Sequence, residues 1–281
     1  MQDRLFFTFF DQSENYCIST SSRLVPIPPA SQYFSEPVQN ISLKAVDGTQ
    51  ISAWYLPDSS QKKAVILLNG LRGNRLTMVE RAKIYRQQGY ATVLPDLRGT
   101  GASESRLITF GWEERHDLLA TVNFLQKSGY QHIAVHGISL GAATIAFSLA
   151  DNPDYAFVVL ESCYDNIDQA LSNRIERFMI PEFSVIPLKR ISEWRMGIKT
   201  EQLYPEHYLK LCKVPTLIMA GDAETRVKKE ETEKLYHKCG ATDKTLHFFQ
   251  GAKHENFMNR YEEEFRNLLG SWLEKMELKV L

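Results

Sequence analysis

The chain has 281 residues, 43% hydrophobic and 24% charged, a balance that excludes a disordered polymer or a disulfide-stapled miniature and allows one large α/β domain with a sizeable core. Its 33 basic and 34 acidic residues leave a formal charge of -1, which supplies no overall field for a phosphate backbone, so nucleic acid is not an expected partner. Cys17, Cys163, Cys212 and Cys239 are far apart with no C-x-x-C, a spacing that suggests neither a zinc site nor a disulfide framework; reduced thiols and a cytoplasmic location are the expectation.

The first apolar run, LFFTFF at 5–10, falls far short of the ~20 residues that span a bilayer and lacks a signal-peptide cleavage pattern. It reads as an aromatic first strand or a packed arm; membrane association would require that it be the remnant of a longer anchor. Residues 23–37, RLVPIPPASQYFSEP, are too rich in Pro and Ser for a ladder or a helix, so 1–37 is expected as an N-terminal arm. Two alternating runs, 38–46 and 50–56, flank Asp47-Gly48 and predict an antiparallel hairpin. The continuously apolar AVILL at 64–68 predicts a strand buried on both faces.

That strand runs into Asn69-Gly70-Leu71-Arg72-Gly73. Such a loop is where the second amide of an oxyanion hole is usually found, and Leu71 is the residue placed to supply it. The plain reading is a glycine-rich turn feeding a helix over 76–88. A further buried strand, 91–94, precedes PDLRGTGAS at 95–103, where Asp96 and Arg98 read either as catalytic groups or as charges that hold a glycine-rich loop together. Helical spacing over 112–126 sets Leu118, Leu119, Val122 and Leu125 on one face, with His116 and Asp117 as an exposed or helix-pairing patch.

The stretch 131–147, QHIAVHGISLGAATIAF, combines a short apolar strand, a glycine-bounded turn and an Ala- and Leu-rich helix. In such an elbow Ser139 is held in a strained conformation with its hydroxyl clear of the sheet, and Gly137 and Gly141 remove Cβ atoms that would collide. The amide of Leu140 then points toward any oxyanion that Ser139 generates, at a helix N-terminus that favours negative charge. After FVVL at 157–160, residues 162–213 contain helical pieces and prolines, and form either a small lid over Ser139 or a simple cover for one face of the sheet. VPTLIMA at 214–220 and a strand at 245–249 follow, each ending in a polar loop, before a helix that presents Phe265, Leu268, Leu269 and Leu273 to the core. No repeat or long linker divides the chain, and the alternation predicts a single domain over 1–281 with one doubly wound, mostly parallel sheet.

Ser139, then Asp222 or Glu224, then His254 each fall in a loop directly after a predicted strand, and parallel strands place those loops on one edge. That order is the one a serine nucleophile, a carboxylate and a general base take in hydrolases built on such a sheet. Metal and organic cofactors are not required for this chemistry.

The stretches DGTQISAWYLP, AVILLNGLRGNR, LPDLRGTGAS, FGWEERHDLLATVNFL, VHGISLGAA, PTLIMAGDAETRV and GAKHENF resemble the α/β-hydrolase superfamily, and within it the Bem46-like and serine-aminopeptidase-like branch. The resemblance implies a sheet of about eight strands opening with antiparallel strands. It also implies a serine hydrolase acting on a small-molecule or acyl substrate, ester or thioester, through an acyl-enzyme. A peptidase or amidase would use the same groups, and a non-catalytic binding protein on the same fold is the reading from another class. Gly221 and Val227 frame position 224 as the family frames its acid, so the resemblance points to Glu224, with Asp222 as the alternative. Asn69 stands where the family has histidine, which changes what supports the Leu71 amide.

Overall fold

The computed structural model describes residues 27–58, 62–104, 106–177 and 185–280. The aromatic run at 5–10, most of the expected arm at 1–37, and residues 178–184 of the 162–213 segment lie outside the described residues. Eight strands form one sheet in the order β1-β2-β4-β3-β5-β6-β7-β8. They are β1 (Gln39–Lys44), β2 (Gln50–Leu56), β3 (Lys63–Leu68), β4 (Ala91–Pro95), β5 (His132–Ile138), β6 (Val158–Glu161), β7 (Thr216–Gly221) and β8 (Lys244–Phe249). β1 and β2 pair antiparallel around the turn at Asp47-Gly48, β2 meets β4 antiparallel, and every pairing from β4 through β8 is parallel.

The buried strands read as apolar runs because both faces of the sheet are covered. Along β3, Ala64, Ile66 and Leu68 pack on one side with the helices α2 (Glu114–Lys127) and α3 (Leu140–Ser148). Val65 and Leu67 face the other side, toward α1 (Val79–Gln87) and α8 (Glu262–Val280). α8 delivers Phe265, Leu269, Trp272, Leu273 and Met276 to that second layer at helical spacing, with Leu268 at its margin. Between β6 and β7 the chain adds α4 (Ile167–Arg177), α5 (Val185–Met196) and α6 (Pro205–Leu209), and α7 (Lys229–Lys238) joins β7 to β8.

Two expectations are modified, and one choice between readings is decided. The helix expected over 76–88 begins as a 3-10 turn, Arg75–Met78, before α1 proper. The Asn74 side chain caps the Leu76 amide, and Asp96 takes both the Arg75 amide at 2.7 Å and its guanidinium, which tightens that first turn. Asp96 and Arg98 hold the loop together: Asp96 also receives the Ala102 amide, and Arg98 is bound by Asp117 and Asp47. Asp117 is therefore fully buried rather than part of an exposed patch.

One buried ion pair ties the two sides of the sheet edge together. Arg81 of α1 meets Glu161, the last residue of β6, through Nε at 2.5 Å and Nη2 at 2.6 Å, with both side chains out of solvent. His136 Nε2 stands 2.5 Å from Glu161 Oε1, and the Tyr85 hydroxyl is 3.1 Å from His136 Nδ1. Burial alone would raise the Glu161 pKa, but the Arg81 charge and these hydrogen bonds hold it down at about 2. Burial outweighs Glu161 at His136 and lowers its pKa, so the ring is neutral: Nε2–H donates to the carboxylate and Nδ1 accepts from Tyr85. Arg81→Met should strip the partner from a buried carboxylate and lower unfolding free energy by about 3–5 kcal/mol, read from the midpoint shift in urea.

Candidate active site

β5 lies at the centre of the sheet, between β3 and β6, and Ser139 follows it directly. The serine has φ 50° and ψ -103°, a left-handed conformation that a non-glycine residue adopts only where the surroundings enforce it. The flanking glycines show what enforces it. A Cβ on Gly137 would lie 2.4 Å from the Gly141 carbonyl carbon, and one on Gly141 would lie 2.5 Å from the Leu68 oxygen, so strand, turn and helix approach more closely than any side chain permits. The Ser139 amide donates to the Glu161 carbonyl at 2.8 Å, which pins the elbow to β6.

Leu140 opens α3, so its amide has no partner within the helix and lies at the positive end of the helix dipole. On the β3 side, a Cβ on Gly70 would sit 3.6 Å from Ser139 Cβ, which places the Leu71 loop against the elbow. Asn69 is buried and supports that loop: its Nδ2 donates to the carbonyls of Gly70 at 3.0 Å and Gly73 at 3.2 Å, and its Oδ1 accepts from the Leu97 amide. A carboxamide thus braces the turn at the position where the resembled family has histidine.

The acid and base loops meet across β7 and β8. Glu224 Oε2 accepts from His254 Nδ1 at 2.7 Å; the carboxylate is fully buried, and the imidazole retains 17% of its exposure, enough for contact with a substrate or solvent. Glu224 Oε1 is held in turn by the Ser162 hydroxyl at 2.5 Å and the Gly221 amide at 3.1 Å. A Cβ on Gly221 would strike the Ala252 carbonyl at 2.2 Å, so this glycine is what lets the two loops close on each other. Asp222 does something else: it is exposed, and its Oδ1 accepts the Gly251 amide at 2.6 Å, bracing the turn that leads to His254. Asn256, two residues beyond His254, binds Arg81 Nη1 through Oδ1 at 3.1 Å and so ties the histidine loop to the buried ion pair.

Ser139, Leu71, Leu140, Glu224 and His254 therefore all stand at the carboxyl edge of one sheet, beyond the ends of β3, β5, β7 and β8, while Asp222 is occupied with a backbone turn. Ser162 was not singled out by the sequence reading. Its only local mark is its place right after β6, where it takes a left-handed φ of 48° and buries its hydroxyl. A strained loop serine fixed beside a strong elbow, held between a strand and a carboxylate, is the kind of signal that only the assembled fold displays.

A serine at a strained elbow and a carboxylate–histidine pair on the same carboxyl edge of a doubly wound sheet are the features of a serine hydrolase of the α/β-hydrolase superfamily. The chain belongs to the prolyl oligopeptidase family, whose family model matches residues 77–278. It is 21% identical over 235 residues to the Bacillus subtilis protein YqkD, covering 82% of this chain and 77% of that one. It is also 31% identical over 80 residues to a Bacillus subtilis carboxylesterase, covering 28% of this chain and 32% of that one. Among solved structures, the Pyrococcus furiosus esterase Pf2001 superposes with a TM-score of 0.76 at 23% identity, covering 90% of this chain and 96% of that one. No helix among the described residues is long and apolar enough to cross a membrane.

Ser162→Ala should leave the buried Glu224 Oε1 one donor short and cost about 1–3 kcal/mol of stability, checked by urea unfolding at neutral pH.

Proposed function

We propose that the chain cleaves a carboxylic ester or thioester through an acyl-enzyme, with Ser139 as nucleophile, His254 as general base and acid, and Glu224 as the acid that orients the imidazole. The observation that carries this reading is the 2.7 Å bond between His254 Nδ1 and Glu224 Oε2, on the same sheet edge as the Ser139 elbow. With Nδ1–H given to the carboxylate, Nε2 has its lone pair available to take the hydroxyl proton as Ser139 Oγ attacks the carbonyl carbon. The carbonyl π electrons move onto oxygen, and the amides of Leu71 and Leu140 are the donors we assign to that oxyanion. As the tetrahedral centre collapses, His254 returns the proton to the departing alkoxide or thiolate, and water activated by the same ring then releases the carboxylic acid. Glu224 remains ionised throughout and stabilises the imidazolium that forms at each step.

Ester or thioester cleavage is preferred over amide cleavage because Pf2001 and the aligned Bacillus carboxylesterase carry esterase names. The second reading, a peptidase or amidase with the same residues, is favoured by the family description itself. Within the superfamily we place the chain beside the Bem46-like branch on the strength of LPDLRGTGAS and PTLIMAGDAETRV. A panel of 4-nitrophenyl esters, acyl thioesters and aminoacyl anilides separates the two readings, and an excess of anilide turnover over ester turnover would establish the peptidase.

Ser139→Ala should lose covalent labelling by a fluorophosphonate and at least ~1000-fold in kcat while keeping its melting temperature; labelling that persists at wild-type rate removes Ser139 from the nucleophile role. Glu224→Gln keeps the shape of the acid yet favours the wrong imidazole tautomer, so its rate should fall by up to ~10,000-fold. Asp222→Asn retains an acceptor for the Gly251 amide and should change the rate by less than about tenfold. Steady-state kinetics of both variants under one set of conditions decide the acid, and a larger loss at Asp222 reverses the assignment.

A further inference from the structure

Three arginines stand on three different elements around the candidate site. Arg72 follows Leu71 in the turn braced by Asn69, is exposed, and takes a φ of 66°. Arg226 lies two residues beyond Glu224, on the loop that carries the acid. Arg174 is on α4, half-buried, and its neighbour Asn173 donates its side-chain amide to the Arg226 carbonyl at 3.2 Å, which clamps α4 to the acid loop. The oxyanion-side turn, α4 and the acid loop thus each contribute one guanidinium.

Asn173 holds α4 against the loop of Glu224, and the approach of Gly70 to the Ser139 elbow sets Arg72 on the neighbouring turn. Burial first, then the charge of Arg226 and, more weakly, that of Arg72, hold the Arg174 pKa below its ordinary value. Among the described residues Arg174 makes one hydrogen bond, Nη1 to the Ala170 carbonyl at 2.7 Å, and no ion pair. Glu231 is the acidic group that faces it: Oε1 accepts from Asn173 Nδ2 and from the Lys228 amide, and the buried Oε2 has no hydrogen-bond partner among the described residues. Burial, with Asp165 beside it, also raises the Glu231 pKa. Gathering guanidinium charges in a half-buried place costs free energy, and here it does so in a chain whose overall charge is -1. An arriving anion reverses that cost, and arginine forks match carboxylate and phosphate geometry bidentately.

We infer that Arg174 on α4, with Arg72 on the 70–73 turn, receives an anionic group of the substrate, a carboxylate or a phosphate. The inference rests on the proposed hydrolase reading and narrows its substrate to esters that bear negative charge away from the scissile bond. Arg174 and Arg72 contact the substrate's charged end and set specificity; they take no part in proton transfer.

The test compares matched esters that differ in charge. On the acyl side the pair is mono-4-nitrophenyl adipate and 4-nitrophenyl hexanoate. On the alcohol side, 4-acetoxybenzoate and 4-acetoxyphenyl phosphate are each set against methyl 4-acetoxybenzoate. The readout is the ratio of kcat/KM for the anionic and neutral members, in wild type, Arg174→Gln and Arg72→Gln; the exposed Arg72 serves where the half-buried Arg174 variant folds poorly. The wild type should prefer an anionic member in at least one comparison, by about 10- to 100-fold for one charge-assisted hydrogen-bonded pair, and Arg174→Gln should bring that ratio to about 1. The carboxylate and phosphate arms identify which anion fits. A wild-type ratio of 1 or less in every comparison, or a preference that survives in both variants, overturns the subsite. Calorimetric titration of Ser139→Ala with monoethyl adipate, with and without Arg174→Gln, reads the subsite without turnover. Arg174-dependent binding with no ester hydrolysed by the wild type would keep the subsite and discard the esterase reading, and absence of both would discard the subsite as well.

Discussion

The carboxylate of Glu161 is the anchor on which the working edge of the sheet is assembled. It is out of solvent, doubly bonded to Arg81, and shared with His136, and its own backbone carbonyl receives the Ser139 amide. The next residue, Ser162, reaches the other way to Glu224, and Arg81 extends to Asn256 on the histidine loop. The dipeptide at the end of β6 therefore touches the Ser139 turn, Glu224 and, through Arg81, the loop that carries His254. Buried ion pairs seldom add net stability over a hydrophobic filling of the same volume. What this one provides is position: groups drawn from β5, β7 and β8 are registered against a common rigid point, and register is what a reaction needing sub-ångström alignment requires.

The same economy appears around the elbow. Gly137, Gly141 and Gly221 each face a backbone carbonyl or carbonyl carbon at a distance no Cβ tolerates, so the three loops are packed main chain against main chain. Such contacts cannot be relaxed by a rotamer change. The polar groups they bury are paired locally, by Asn69 on the β3 side and by Asp222 on the β8 side, which keeps the loops ordered without spending the groups aimed at a substrate.

The parts of this arrangement that were legible in the sequence are those with a local cause. Parallel strands covered on both faces read as unbroken apolar runs, and 64–68 and 216–221 stand out for that reason. The serine turn is legible because Gly137 and Gly141 bracket Ser139 within five residues, although what crowds Gly141 is Leu68, on a strand distant in sequence. The choice between Asp222 and Glu224 was open on residue type alone; in the structure, Asp222 is taken up by the Gly251 amide and Glu224 faces His254. What escaped notice pairs over long separations. Arg81 and Glu161 are 80 residues apart, and Ser162 and Glu224 are 62 apart, so no window of sequence contains both partners. Asp117 reads as an exposed or helix-pairing group because it sits among charged residues on a helix, and only the tertiary placement of Arg98 offsets the cost of its burial.

The chain leaves the sheet after β6 and returns at β7, two adjacent parallel strands whose register is fixed by their own ladder and not by what lies between them. The intervening segment is nonetheless built into the core, where Ile167, Ala170, Leu203 and Leu209 join the same hydrophobic cluster as the sheet, and Asn173 clamps α4 to the Arg226 carbonyl. The entropy of closing a flexible loop grows only logarithmically, by about 0.6 kcal/mol for each doubling of length, so the cost of altering this excursion lies in the apolar side chains it buries and not in its length. Its outer half is open to replacement and its inner half is not. A grafted version would leave the sheet edge in place only if it kept Ser162 at its entry, those buried side chains and the contact to the Arg226 carbonyl.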